Sequence, residues 1–162
     1  MRKLFPIILV CLIWSCGNKS KIKKQAEPTK KVVKVPSFNE DSAYNYIEKQ
    51  VAFGPRVPNS EAHEACGHYL IETLKSFSDT LIVQETELTA FDGKVLKAKN
   101  IIASFKPKRA KRVMLCAHWD TRPFADQDEQ DKNKPIDGAN DGGSGVGVLL
   151  EIARQFSVNK PD

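Results

Sequence analysis

Hydrophobic positions along this chain switch between helical and strand periods, and each switch marks an element. Behind Asn39, Glu40 and Asp41, acidic or capping residues, Tyr44, Ile47 and Val51 recur at three- and four-residue spacing until Gly54-Pro55 stops the run. Asn59 or Ser60 caps a second helix, whose apolar face is Ala62, Cys66, Tyr69, Leu70, Leu74 and Phe77. From Thr80 the period falls to two: Leu81, Val83, Glu85 and Glu87 share one parity, and Ile82, Gln84, Thr86 and Leu88 the other. Asp92-Gly93 supports positive φ at low cost and leads into Val95 to Phe105, which predicts an antiparallel hairpin. Beyond the charged link Lys106 to Arg112, the unbroken apolar run Val113 to Ala117 reads as a buried strand that makes the sheet mixed. A last helix presents Val146, Leu149, Leu150, Ala153 and Phe156 to that sheet, with Ser144 able to start it. The pattern is that of an α/β fold.

The 162 residues allow one domain with a core of modest size. The formal charge is +5, but Arg2, Lys3 and the seven lysines between Lys19 and Lys34 hold nine of the 25 cations against Glu27 alone, which leaves −3 on the rest. A basic spacer attractive to anionic lipid headgroups therefore sets the charge. The remainder lacks a basic stripe with interleaved aromatics, which argues against nucleic acid as a partner. Arg2-Lys3 precedes the apolar run Leu4 to Trp14, a secretory signal too short to span a membrane. Ile13-Trp14-Ser15-Cys16 resembles the lipobox of bacterial lipoproteins, although Trp14 is bulkier than that pattern shows. Cleavage there leaves a lipidated Cys16 as the first mature residue; an ordinary signal peptide is the alternative. Either way the protein is exported, and lipid at Cys16 anchors it to a bacterial membrane facing the periplasm or cell surface. Residues 1–16 are read as signal peptide and lipobox, 17–36 as a disordered Lys-rich tether, and 37–162 as the folded part.

Chemistry concentrates between Cys116 and Glu151. His118-Trp119-Asp120 closes the apolar run, and ligands collect at the carboxyl ends of strands in open α/β sheets, so an imidazole and carboxylates there are placed for metal chemistry. His118 and Asp120 are two apart; on an extended strand their side chains point the same way, which lets Asp120 orient His118 and fix its tautomer. A loop later comes Gly138-Ala139-Asn140-Asp141-Gly142-Gly143-Ser144. Without a metal, His118-x-Asp120 is a surface tripeptide and Asp141 a helix cap. Its glycines fit no phosphate loop, as neither GKS nor GxGxxG stands in register. Thr121 to Asp137 is long and polar and should flank a pocket mouth; its acids lack the spacing of a calcium loop. Trp119 and Phe124 line that pocket or pack the core. Glu151 is structural rather than a ligand. His63 and His68 do not share a face and are expected to be solvated or capping. Cys66 and Cys116 read as buried thiols, with a disulfide the alternative.

The blocks VAFGPRVPNS (Val51 to Ser60), ACGHYL, TELTAFDGKVLKAKNII, HWDTRP and GANDGGSGVGVLLEIAR together resemble the bacterial glutaminyl cyclases, which share their fold with the zinc aminopeptidases. The resemblance runs from about Phe38 to the end. It implies a three-layer α/β/α domain with a mixed, mainly parallel sheet of the zinc aminopeptidase type, truncated after its first half, and hence a fragment marginal in isolation. It implies Zn2+ as cofactor and Asp141 as a zinc ligand. In the dinuclear aminopeptidases the residue matching His118 binds the first metal, whereas in mononuclear cyclases it stands beside it. Asp120 takes a catalytic supporting role. A cis peptide at Asp141-Gly142 is also implied. The implied substrates are peptides with N-terminal glutamine, converted to pyroglutamate with release of ammonia, and the remaining zinc ligands and proton-shuttling glutamate are expected beyond Asp162. A dinuclear aminopeptidase and a non-catalytic surface lipoprotein are the competing readings.

Overall fold

A computed structural model describes residues 35–160. The signal and lipidation assignments, Cys16 included, and almost all of the tether lie outside the described residues. No helix among the described residues is long and apolar enough to cross a membrane.

Helix α1 spans Glu40–Val51, and the Asn39 side chain accepts the Ser42 N–H at 2.8 Å to satisfy one of its free donors. Helix α2 spans Glu61–Phe77, with the Ser60 hydroxyl accepting the His63 N–H at 3.1 Å. Strands β1 (Thr80–Thr89) and β2 (Val95–Ser104) pair antiparallel, Thr80 opposite Ser104 and Thr89 opposite Val95. At the tip, Asp92 Oδ1 accepts the Lys94 N–H at 3.1 Å, as the Asp-Gly turn requires. Helix α3 follows at Gly145–Val158. Its Ser144 makes no capping bond; the hydroxyl donates back to the Asn140 carbonyl at 2.7 Å.

Cys66 and Leu70 of α2 and Val146 and Leu150 of α3 form the buried centre, with Tyr46, Phe53, Tyr69, Leu74, Ile101 and Trp119 packed around it. Burying a Leu side chain contributes roughly 1.5–3 kcal/mol, so this small cluster is the main force joining the helices to the hairpin. A second anchor is polar. Glu151 is fully buried and accepts from Arg154 Nε at 2.7 Å, Arg154 Nη2 at 2.9 Å, Gln155 Nε2 at 2.9 Å and the Asn39 N–H at 3.1 Å, which ties the start of α1 to α3. Glu151 is thus structural, as expected.

Two expectations fail here. Val113 to Ala117 joins no ladder, and the sheet of the described residues is two-stranded. A strand exists only where a neighbour takes up its N–H and C=O groups; β2 is paired with β1 on one edge, Val113 to Ala117 does not pair with the other, and Val113 and Met114 stay 88% and 86% exposed. An open cavity of about 870 Å³ is lined by β2, residues 112–120 and the apolar faces of α2 and α3. Cys116 is therefore exposed rather than buried; both Cys66 and Cys116 are free thiols, and burial pushes the Cys66 thiol up to about 11.

Candidate metal half-site

The sequence-predicted residues converge. His118 Nε2 lies 3.0 Å from Asp141 Oδ1, although 23 positions separate them in the chain. Asp120 acts differently from the expectation: its carboxylate is 3.6 Å from His118 Nδ1, whereas its backbone carbonyl stands 3.1 Å away and accepts the Nδ1–H. The main chain thus orients the ring, and Nε2 is the nitrogen aimed at Asp141. All three side chains are about half exposed, His118 at 56% and Asp141 at 54%, so the pair opens to a surface from which an ion can enter.

The turn that presents Asp141 is wide. Residues 139–144 curl ahead of α3, but Asp141 (φ −82°, ψ 96°) and Gly142 (φ 96°, ψ −55°) leave helical geometry and swing the carboxylate toward His118. No cis peptide occurs among the described residues, so the expected cis bond at Asp141-Gly142 is replaced by this trans, positive-φ corner. Only glycine suits position 142: a Cβ there would lie 3.0 Å from His118 Cε1 and 3.0 Å from the His118 carbonyl oxygen.

Imidazole nitrogen and carboxylate oxygen are the donors zinc takes, and Nε2 facing Oδ1 needs a proton or a cation between them. The donor types fit. Their number is short: among the described residues no group of three or more His, Cys, Asp and Glu side chains could hold a metal, whereas a catalytic zinc takes three protein ligands. His118 and Asp141 are the two candidate donors brought together among the described residues.

Beneath it lies a residue to which sequence reasoning gave no role. Arg56 is fully buried, and its guanidinium donates to five carbonyls: Trp119 (Nε, 3.3 Å), Gln50 (3.5 Å), Gly54 (3.3 Å) and Asp137 (2.5 Å), all three from Nη1, and Gly138 (Nη2, 2.9 Å). Desolvation lowers its pKa, and the negative charges of Asp137 and Asp120 offset part of that. Gln50, also fully buried, donates to the Gly143 carbonyl at 3.2 Å. The available signal was an arginine set among Gly and Pro in the FGPR block.

Flanking residues divide. His63 corrects the expectation of a solvated side chain: it is buried and stacks on Trp119 with centroids 4.1 Å apart, and desolvation lowers its pKa. Trp119 also donates to the Lys99 carbonyl at 3.2 Å, so it packs the core, while Phe124 is 57% exposed. His68 is exposed beside Glu64 at 3.5 Å. Residues 121–137 form an irregular loop in which Arg122 pairs with Asp126 and lies 4.0 Å from Asp141 Oδ2.

Helices packed around a hairpin, with an imidazole on an extended segment and a carboxylate on a glycine-rich corner, form an α/β arrangement that solved structures share. Residues 100–162 match Peptidase family M28. The crystal structure of a leucine aminopeptidase precursor from Bacteroides thetaiotaomicron is 55% identical with a TM-score of 0.79, over 81% of this chain and 46% of that one. Glutaminyl cyclase from the same organism, bound to N-acetylhistamine, is 54% identical with a TM-score of 0.78, over 80% of this chain and 45% of that one. Aminopeptidase YwaD of Bacillus subtilis (strain 168) is 33% identical over 117 residues, 68% of this chain and 22% of its own length. This chain thus spans less than half the length of these relatives, and it is similar to glutaminyl cyclases and to a Zn-dependent exopeptidase, both enzymes.

Proposed function

We propose that this chain supplies the N-terminal part of a zinc-dependent glutaminyl-peptide cyclotransferase, which closes the N-terminal glutamine of a peptide to pyroglutamate and releases ammonia. The observation that carries it is the 3.0 Å approach of His118 to Asp141 in a chain 54% identical to a glutaminyl cyclase. Asp141 would be the ligand, with His118 beside the metal and its ring oriented by the Asp120 carbonyl. Bound zinc would polarise the γ-amide carbonyl that the α-amine attacks. The loop 121–137, from which Arg122 reaches to 4.0 Å of Asp141 Oδ2, would border the entrance for the peptide. Membrane anchoring through lipid at Cys16 belongs to the same proposal.

The aminopeptidase reading is favoured by the 55% identity to the leucine aminopeptidase precursor and the match to YwaD. Its pocket would deliver water to a peptide carbonyl in place of an internal amine. The full-length protein, given a Gln-initiated peptide, should yield pyroglutamate and ammonia, and its zinc should survive His118→Ala. Release of free N-terminal residues, with a second metal lost in His118→Ala, would establish the aminopeptidase instead.

A further inference from the structure

We infer that Arg56 is the positioning residue of the metal half-site: its single guanidinium sets the distance between the segment carrying His118 and the turn carrying Asp141. The inference rests on the metal reading above and adds to it. Two separate stretches meet at this side chain. On one, Arg56 Nε donates to the Trp119 carbonyl at 3.3 Å, between His118 and Asp120, and the Arg56 carbonyl accepts the Thr121 N–H at 3.1 Å. On the other, Nη1 and Nη2 donate to the Asp137 and Gly138 carbonyls at 2.5 and 2.9 Å, at the entry to the Asp141 turn. The Gly138 carbonyl also accepts the Gly143 N–H at 3.1 Å, so the bond to Arg56 fixes the corner at both ends.

Stability alone does not account for this cation. Among the described residues Arg56 forms no salt bridge; Asp137 and Asp120 offset part of the cost of burying its charge from a distance, and well-aimed acceptors must supply the rest. All its acceptors are main-chain carbonyls, and three of them belong to the two segments whose spacing defines the site. A planar fork with five N–H donors reaches them simultaneously; a lysine ammonium is a shorter point charge with three donors and cannot span both segments. Arg56 itself touches neither His118 nor Asp141 among its hydrogen bonds, so it acts through the backbone.

The test is Arg56→Lys in the full-length protein, with two readouts. Zinc affinity, titrated with zinc alone against a chromogenic chelator, should fall about 10- to 100-fold, the usual effect of losing a group that orients ligands. In an Asp141→Asn background the same change should add no further loss. Amide exchange of the metal-free protein should accelerate in 119–122 and 137–144 while α2 and the hairpin keep their protection. Unchanged exchange in those two segments, or an equal affinity loss in both backgrounds, overturns the inference. If wild-type and Asp141→Asn bind zinc alike, the metal reading fails, and the exchange pattern alone decides for or against Arg56. Should Arg56→Lys not fold, Gly138→Ala takes its place: a Cβ there would run into Thr121 Cγ2 and sit 2.8 Å from the Asp141 carbonyl oxygen and 3.1 Å from Arg56 Nη2, pushing the turn off both the guanidinium and the 119–121 segment. It is held to the same two readouts.

Discussion

Replacing Glu151 by Gln tests whether a polar knot joins α1 to α3. The carboxylate accepts four hydrogen bonds, two from Arg154, one from Gln155 and one from the Asn39 main chain. An amide of the same shape turns an NH2 toward those donors, and a buried donor left without an acceptor costs about 1–3 kcal/mol. With Arg154 at 31% exposure able to recover some hydration, we expect about 2 kcal/mol. At roughly 2–4 °C per kcal/mol for a domain of this class, Tm should drop about 5 °C at pH 7. The bonds from Arg154 hold the Glu151 carboxyl down from its ordinary 4.5 to about 2. Between those values the unfolded chain binds the proton and the folded one does not, so the stabilisation is complete above about pH 5 and disappears as pH falls toward 2. Thermal melts of wild-type and Glu151→Gln protein from pH 7 to 3 should therefore converge at the acid end. A gap under 1 °C at pH 7, or one that stays constant with pH, would refute the reasoning.

Gly142→Ala forces an L side chain to φ 96° against His118, a strain of roughly 1–3 kcal/mol, and should weaken zinc retention in a chelator titration while circular dichroism stays native. Leu150→Ala empties the centre of the core and should lower stability by about 2–5 kcal/mol, read from the denaturant midpoint. His63, kept neutral mainly by burial, binds its proton less readily in the folded state than in the unfolded chain. Its contribution is present above pH 6.5 and lost as pH falls below, so His63→Phe, which keeps the stack on Trp119, should gain Tm relative to wild-type between pH 7 and 5.

Features set by near neighbours in sequence were legible. The caps at Asn39 and Ser60 and the Asp92-Gly93 tip need only local hydrogen bonds and dihedrals, and the helix and hairpin bounds follow from them. The approach of His118 to Asp141 was legible only through the motif that each belongs to, since no local rule closes 23 residues of chain. Other outcomes depend on distant groups. Val113 to Ala117 has strand composition, yet a ladder needs a partner, and β2 is already paired on one side with β1. Asp120 alternates correctly with His118, but the main-chain oxygen reaches the imidazole before the carboxylate does. Arg56 looks like a solvated charge in a Gly-Pro turn because its acceptors at 119, 137 and 138 come from segments far along the chain. His63 had a readable signal: it stands three and seven residues before Cys66 and Leu70, on the face they bury.

The most direct check is the zinc content of the full-length protein with and without Asp141→Ala, measured after gel filtration alongside turnover of a Gln-initiated peptide. Stoichiometric zinc and pyroglutamate formation in the wild type, both lost in Asp141→Ala, are the expected results; zinc retained in full by the alanine variant would contradict the assignment of this carboxylate and the site built on it.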